Sequence, residues 1–394
     1  MQFASARRNV TVLALCQGLV NIGTSTMIAE AALVGHMLAS DKTLATVPLA
    51  AQQLAVMLTT FPASLLMQRI GRRWGFSIGA GFGIAGATMA TIAVFQGSFW
   101  LFCLGAALTG IHNGFALFYR FAAVDGAGEA WRAKAISYVM AGGVIAAVIG
   151  PEMAKATKDL FAPVVFAGSF AALIGVAILA FCLLQFVDIP RPSEAERHGL
   201  QRPLAEIMRQ PAFAVAALGG MVAYGGMNFV MTATPLAMVA CGHGFDSAAL
   251  VIQWHVLAMF GPSFVTGHII KRVGVLNVMT AGAGLMAACV AINLAGVGLV
   301  NFWGALLLLG LGWNLLFVGA TTLLTETYRP SEKAKVQAVN DFLVFGTVTL
   351  ASFSAGAAHH VLGWESINYG VVPLLALSAM ATLWLARRRR VAPA

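Results

Sequence analysis

Polar side chains recur inside otherwise apolar stretches, and their spacing sets what they can do. Gln17, Asn21 and Thr24 follow an i, i+4, i+7 pattern that puts them on one face of a helix. Tyr224 and Asn228 repeat the i, i+4 step, while His112 with Asn113 and Trp313 with Asn314 sit in two further apolar runs. Such groups offer hydrogen bonds to a small solute. Covalent chemistry is not indicated, because no nucleophile–base pair, metal-ligand cluster or pair of carboxylates stands at catalytic spacing. Neither an enzyme nor a cofactor is expected. His112, Glu30, Glu152 and Asp341 are titratable groups in or at the ends of these runs, so exchange of an ion is the remaining chemistry; imidazole ordinarily titrates near neutral pH.

The elements that must position these residues are membrane-spanning helices. Of the 394 residues, 59% are hydrophobic and only 10% charged, against about a quarter charged in a soluble domain. The mean hydropathy is +0.83. That balance excludes a large soluble enzyme. Apolar runs recur near the ~20 residues that cross a bilayer. Broken at charged or turn-forming clusters, they predict twelve spans at 10–35, 44–67, 75–96, 98–121, 135–156, 161–187, 212–239, 247–270, 275–296, 300–323, 337–358 and 366–386. The first run is too long for a signal-peptide core and reads as retained. Five cysteines fall inside these spans without a C-x-x-C pair, so buried, inert thiols are expected, not disulfides or a metal site.

The net charge of +9 is explained by placement. With the loops numbered alternately from a cytoplasmic N-terminus, 20 of the 24 Lys and Arg residues fall on the inner side. Both termini are then cytoplasmic in the cell inner membrane. Anionic membrane lipid, not nucleic acid, is the partner such a distribution suits.

Charge is rare, yet "LLMQRIGRRWGF" (65–76) packs Gln68, Arg69, Arg72 and Arg73 around Gly71. Half a chain later the pattern returns. Ser64, Gln68, Arg69 and Gly71 match Gly267, Lys271, Arg272 and Gly274 at an offset of 203. Gly18, Val20 and Gly23 match Gly220, Val222 and Gly225 at 202. Asn113 matches Asn314, Asp125 matches Glu326, and 132–134 matches 333–335, all at 201. Five matches at nearly one offset predict an all-α membrane protein of two six-helix halves: residues 1–186 and 212–394, joined by a polar, proline-bearing linker at 187–211. Two parallel halves with a midplane site at their interface describe a secondary transporter that rocks between two states. Glycine-rich "GAGFGIAGA" (79–87) and "AGAGL" (281–285) read as helix-packing surfaces; no Walker lysine makes them phosphate loops.

The twelve spans and the Arg69-x-Gly71-Arg72-Arg73 box between spans 2 and 3 resemble the major facilitator superfamily, over the whole chain. Ser64 and Gln68 depart from the usual Gly and Asp of that box. Span 5 keeps only Gly150-Pro151 of the antiporter motif, and Gly110 stands where the span 4 arginine of antiporters would fall. These departures weaken a carry-over of drug/proton antiport. The resemblance implies a conformational latch built from Arg69, Gly71, Arg72 and Asp125. In the second half it implies Lys271, Arg272 and Gly274, with Lys271 or Arg272 pairing with Glu326.

The expected function is secondary transport of a small organic solute, vitamin-, sugar- or drug-like, by alternating access. A proton or other ion gradient drives it, since no ATP-binding element exists. The expected solute contacts are Gln17, Asn21, Thr24, His112, Asn113, Tyr224, Asn228, Trp313 and Asn314. The expected coupling groups are His112, Glu30, Glu152 and Asp341. A monomer is expected. The competing reading is a transporter-like membrane scaffold that moves nothing.

Overall fold

A computed structural model describes residues 2–41, 44, 47–125, 131–189 and 202–391. Among the described residues all regular structure is helical. Eleven helices are long and apolar enough to cross a membrane, and one bent pair makes a twelfth. In chain order these are α1 (Gln2–Leu38), α2 (Val47–Ile70), α3 (Arg72–Gln96), α4 (Phe99–Asp125), α5 (Arg132–Thr157), α6 (Ala167–Leu184) and α7 (Pro211–Ala240). Then follow the broken α8 (Leu250–Phe260 and Ser263–Val273), α9 (Val275–Ala295), α10 (Leu299–Leu324), α11 (Pro330–Ala355) and α12 (Val361–Arg390). Large apolar side chains such as Phe82, Trp100 and Leu350 stand exposed. For a helical chain of this composition that surface meets hydrocarbon, where backbone groups must be satisfied within each helix.

The chain forms two compact units. One comprises Met1–Glu129 with Tyr138–Arg197, the other Ala130–Ser137 with His198–Ala394. The middle of the expected linker, residues 190–201, lies outside the described residues. Its two flanks are described, and each is tied to its own unit. Asp188 exchanges two hydrogen bonds with Asn9 of α1 (2.8 and 2.9 Å) and pairs with Arg8 at 3.2 Å. Arg202 grips the fully buried Glu332 through its Nη2 at 2.6 Å and its Nε at 2.9 Å. Lys335 donates in turn to the Arg202 carbonyl at 2.6 Å. Glu332 raises the Arg202 guanidinium above its ordinary value, which keeps the pair ionised.

Within each unit, glycines set the helix crossings. A Cβ at Gly86 of α3 would lie 2.8 Å from the Gly105 carbonyl of α4, and one at Gly282 of α9 would lie 2.8 Å from the Gly312 carbonyl of α10. Side chains of any size would force these pairs apart. Between α2 and α3, Gly71 adopts φ 91°, and between α8 and α9, Gly274 adopts φ 89°. Both lie in a region costly for any residue with a Cβ. The repeated glycine thus performs the same turn twice.

Span 8 is the exception to the expected row of continuous helices. It bends by 42° at Gly261-Pro262. Proline lacks the N–H needed to continue the ladder, and a freed carbonyl inside a membrane needs another donor. Asn314 of α10 supplies it, donating to the Met259 carbonyl at 2.6 Å.

Candidate functional site

In the first unit Arg72 and Asp125 form an ion pair. Arg72 Nε lies 3.0 Å from Asp125 Oδ2, and the two side chains are only 7% and 13% exposed. The Arg72 guanidinium also sits 5.8 Å from the Phe118 ring centroid. Low exposure matters because a pair taken out of water is screened little, and each member depends on the other. Gly71 fixes where α3 starts, and so aims Arg72 back at the end of α4.

The second unit differs. Glu326 pairs with Arg389 at 2.9 Å, both side chains being about two-fifths exposed. Among the described residues no ion pair joins it to Lys271 or Arg272, which are both exposed. This corrects the expected pairing. The C-terminal arginine run, read from sequence as a topology signal, supplies the partner at the end of α12.

On α1, Gln17 Nε2 donates to Asn21 Oδ1 at 3.0 Å, as their spacing predicts. Thr24 accepts a hydrogen bond from Asn113 Nδ2 of α4 at 3.2 Å, so the two polar faces meet within the first unit. Asn21 Nδ2 is buried without a hydrogen-bond partner among the described residues. Beside this face a pocket opens between α1, α2, α3, α4 and α6, with Gln52, Thr109, His112 and Asn113 at its polar end and apolar walls elsewhere. Gln52 and Thr109, which join at 3.3 Å, were not expected there. Their only sequence signal is a polar residue inside an apolar run. The His112 ring packs on Gly83, where a Cβ would come within 2.8 Å of the imidazole. At Gly110 a Cβ would overlap the Gln52 carbonyl, so the arginine of antiporters has no room here.

The second unit offers an aromatic surface. Tyr224 meets Trp313, Phe317 and Phe345 with ring centroids 5.3, 5.2 and 5.1 Å apart. It sits in a π-helical turn, Val222–Gly226, within α7. Asn228, one turn on, is buried and donates to Ser352 Oγ at 2.7 Å. Asn314, expected to contact solute, is instead engaged at the break in α8. Besides Met259, it bonds Ser263 Oγ at 2.5 Å and accepts from Thr266 at 2.7 Å.

The acidic candidates separate clearly. Glu30 is buried; Ser169 donates to its Oε1 at 3.0 Å, and its Oε2 has no hydrogen-bond partner among the described residues. Asp341 is buried and accepts from Asn340 at 2.9 Å. Glu152 is exposed and paired with Lys155 at 3.0 Å, which suits a surface charge better than a coupling group. The cysteines are all free; Cys16, Cys103 and Cys289 are buried, but Cys182 and Cys241 are exposed, contrary to the expectation that all five would be buried.

Twelve spans in two units, a glycine turn used twice and polar faces inside each bundle define a membrane transporter. A Major Facilitator Superfamily signature covers residues 12–347, and the chain belongs to that superfamily. Among curated relatives, the riboflavin transporter RfnT of Brucella anthropi is 43% identical over 375 residues, 95% of this chain and 94% of that protein. The uncharacterized MFS-type transporter YdeG of Bacillus subtilis is 28% identical over 355 residues, 86% of this chain and 82% of that one. Among solved structures, the transporter FucP in its outward conformation superposes with a TM-score of 0.76 at 14% identity, over 96% of this chain and 99% of FucP. The human organic anion transporter MFSD10 gives 0.75 at 12%, again over 96% and 99%. At such identities the solved structures share the fold alone. The chain is therefore a multi-pass membrane transporter of a small solute, and not an enzyme.

Proposed function

We propose that this transporter carries a riboflavin-type vitamin across the cytoplasmic membrane by alternating access, driven by an ion gradient. The observation that carries the reading is 43% identity, along nearly the full length of both chains, to a riboflavin transporter. Riboflavin is uncharged, with a planar ring and a polyhydroxylated tail. In the first unit the uncharged set Gln17, Asn21, Thr24 and Asn113 offers hydrogen bonds of the kind hydroxyls take, and in the second the aromatic set around Tyr224 and Trp313, with Asn228 nearby, offers the kind of surface a planar ring takes. Both termini are cytoplasmic in this reading, and the monomer is the working unit. Arg72 with Asp125 latches one conformational state. Proton coupling runs through His112 or Glu30, the buried imidazole and the buried carboxyl of the first unit; Asp341 is the corresponding candidate in the second.

The test is uptake of labelled riboflavin by a riboflavin-auxotrophic bacterium expressing the chain. Growth on low riboflavin, with uptake abolished by excess unlabelled vitamin, supports the reading. Membrane-inserted protein with no uptake above the empty vector removes the riboflavin reading.

A further inference from the structure

The indole nitrogen of Trp313 is a donor without an acceptor. Trp313 is fully buried, and its Nε1 has no hydrogen-bond partner among the described residues. An indole N–H can only donate, and leaving it unpaired out of water costs stability that a phenylalanine in the same place would not cost. Packing alone therefore gives no reason for tryptophan here.

The surroundings point to what the donor serves. Trp313 stacks on Phe317 with centroids 5.1 Å apart and planes 16° apart, and takes the edge of Phe260 at 5.6 Å. Tyr224 covers it edge-on at 5.3 Å. Of these four rings only Tyr224 is partly exposed; the others are buried. Tyr224 also occupies the one π-helical turn among the described residues. Such a turn holds an extra residue and recurs where a helix must shift. Relaxing such a turn to α geometry would rotate the residues on one side of it about the helix axis relative to those on the other.

We propose that Trp313 Nε1 donates to a ring carbonyl of a planar, fused heteroaromatic solute, and that Tyr224, which packs edge-on over the indole, is the movable cover. This rests on the flavin reading above and names the atom that discriminates within it. A solute with the same tail but no ring carbonyl is discriminated against, because the buried donor stays unpaired.

Riboflavin binding to the purified full-length protein is followed by quenching of flavin fluorescence, for wild type and Trp313→Phe. Phenylalanine keeps a ring and removes only the donor. Expected is binding to wild type with quenching, and roughly tenfold weaker binding to the variant, with a melting temperature no lower than wild type. Riboflavin, 2-thioriboflavin and 4-thioriboflavin are compared on wild type, since a thiocarbonyl is a poor acceptor. One thio analogue should reproduce the loss, and that analogue should bind the variant and wild type about equally. Equal riboflavin affinity for wild type and variant overturns the proposal while leaving the flavin reading intact. Should the variant not fold, equal affinity of wild type for all three flavins overturns it in the same way. No riboflavin binding by folded wild type removes the flavin reading and this proposal with it.

Discussion

The two units are copies of one six-helix plan, and they diverge at different levels. Backbone features are kept. Gly71 and Gly274 adopt the same positive φ, within two degrees of each other. Gly110 presses α4 onto the Gln52 carbonyl of α2, and Gly310 presses α10 onto the His255 carbonyl of α8. Side-chain chemistry is not kept. Asn113 reaches Thr24 beside a pocket, whereas Asn314, its repeat, closes a break. Asp125 holds Arg72 out of water, whereas Glu326 holds Arg389 near the surface. Repetition preserves what the fold needs, and function is carried by what differs.

The largest effect should come from the shared glycines. Gly110→Val and Gly310→Val each drive a side chain into a backbone carbonyl that cannot yield, at a cost of about 3 kcal/mol or more. Both variants should lose the monodisperse peak in detergent size-exclusion chromatography. If only one does, the crossings are not equivalent and the comparison fails at its base.

Next come the ion pairs, where the units should part. Asp125→Asn takes the carboxylate charge away from the largely desolvated Arg72, costing on the order of 3 kcal/mol. Glu326→Gln should cost no more than about 1 kcal/mol, since its pair is exposed. Thermal melting of the two variants measures this directly. Exchanging the charges, Arg72→Asp with Asp125→Arg, should recover part of both stability and flux; no recovery would deny the pair any latch role.

Asn113 and Asn314 should separate in kind. Asn314→Leu strips the Met259 carbonyl, Ser263 and Thr266 of their partner, a loss of roughly 1–3 kcal/mol, and should lower the melting temperature clearly. Asn113→Leu removes one interhelical hydrogen bond worth under ~1 kcal/mol. It should weaken solute binding with little change in melting. The reverse pattern would place the solute contact in the second unit's copy.

The smallest and most specific difference concerns coupling. In proteoliposomes with a fixed solute gradient, an imposed pH gradient should change wild-type flux, and His112→Gln or Glu30→Gln should blunt that response. A coupling group must differ in protonation between the states it links. Two variants with the wild-type response exclude both groups, and an unresponsive wild type excludes proton coupling.

Much of the plan was legible in the sequence, since span length and the 201–203 offset are written in hydropathy and glycine positions. The crossing glycines could be read because closeness leaves few residue choices. What escaped reading depends on partners far along the chain. The proline in span 8 is visible, yet nothing nearby says that Asn314, about fifty residues on, repairs the break. Arg389 looks like one of four interchangeable charges until a helix end brings it to Glu326. The π-helical turn at Tyr224 escaped as well, because one extra residue in a turn leaves the hydropathy of α7 unchanged.

The pinned flanks of the linker change what it means to connect the two units. Asp188 is moored to α1 and Arg202 to Glu332, and twelve residues, 190–201, lie between the two moorings in sequence. A dozen residues reach at most ~45 Å when fully drawn out. The moorings therefore act like cleats on a rope. Arg202→Ala would remove the guanidinium contacts to Glu332 and loosen this mooring without touching any solute contact. The stroke of the transport cycle, its rate and not its affinity, is where such a change would be felt.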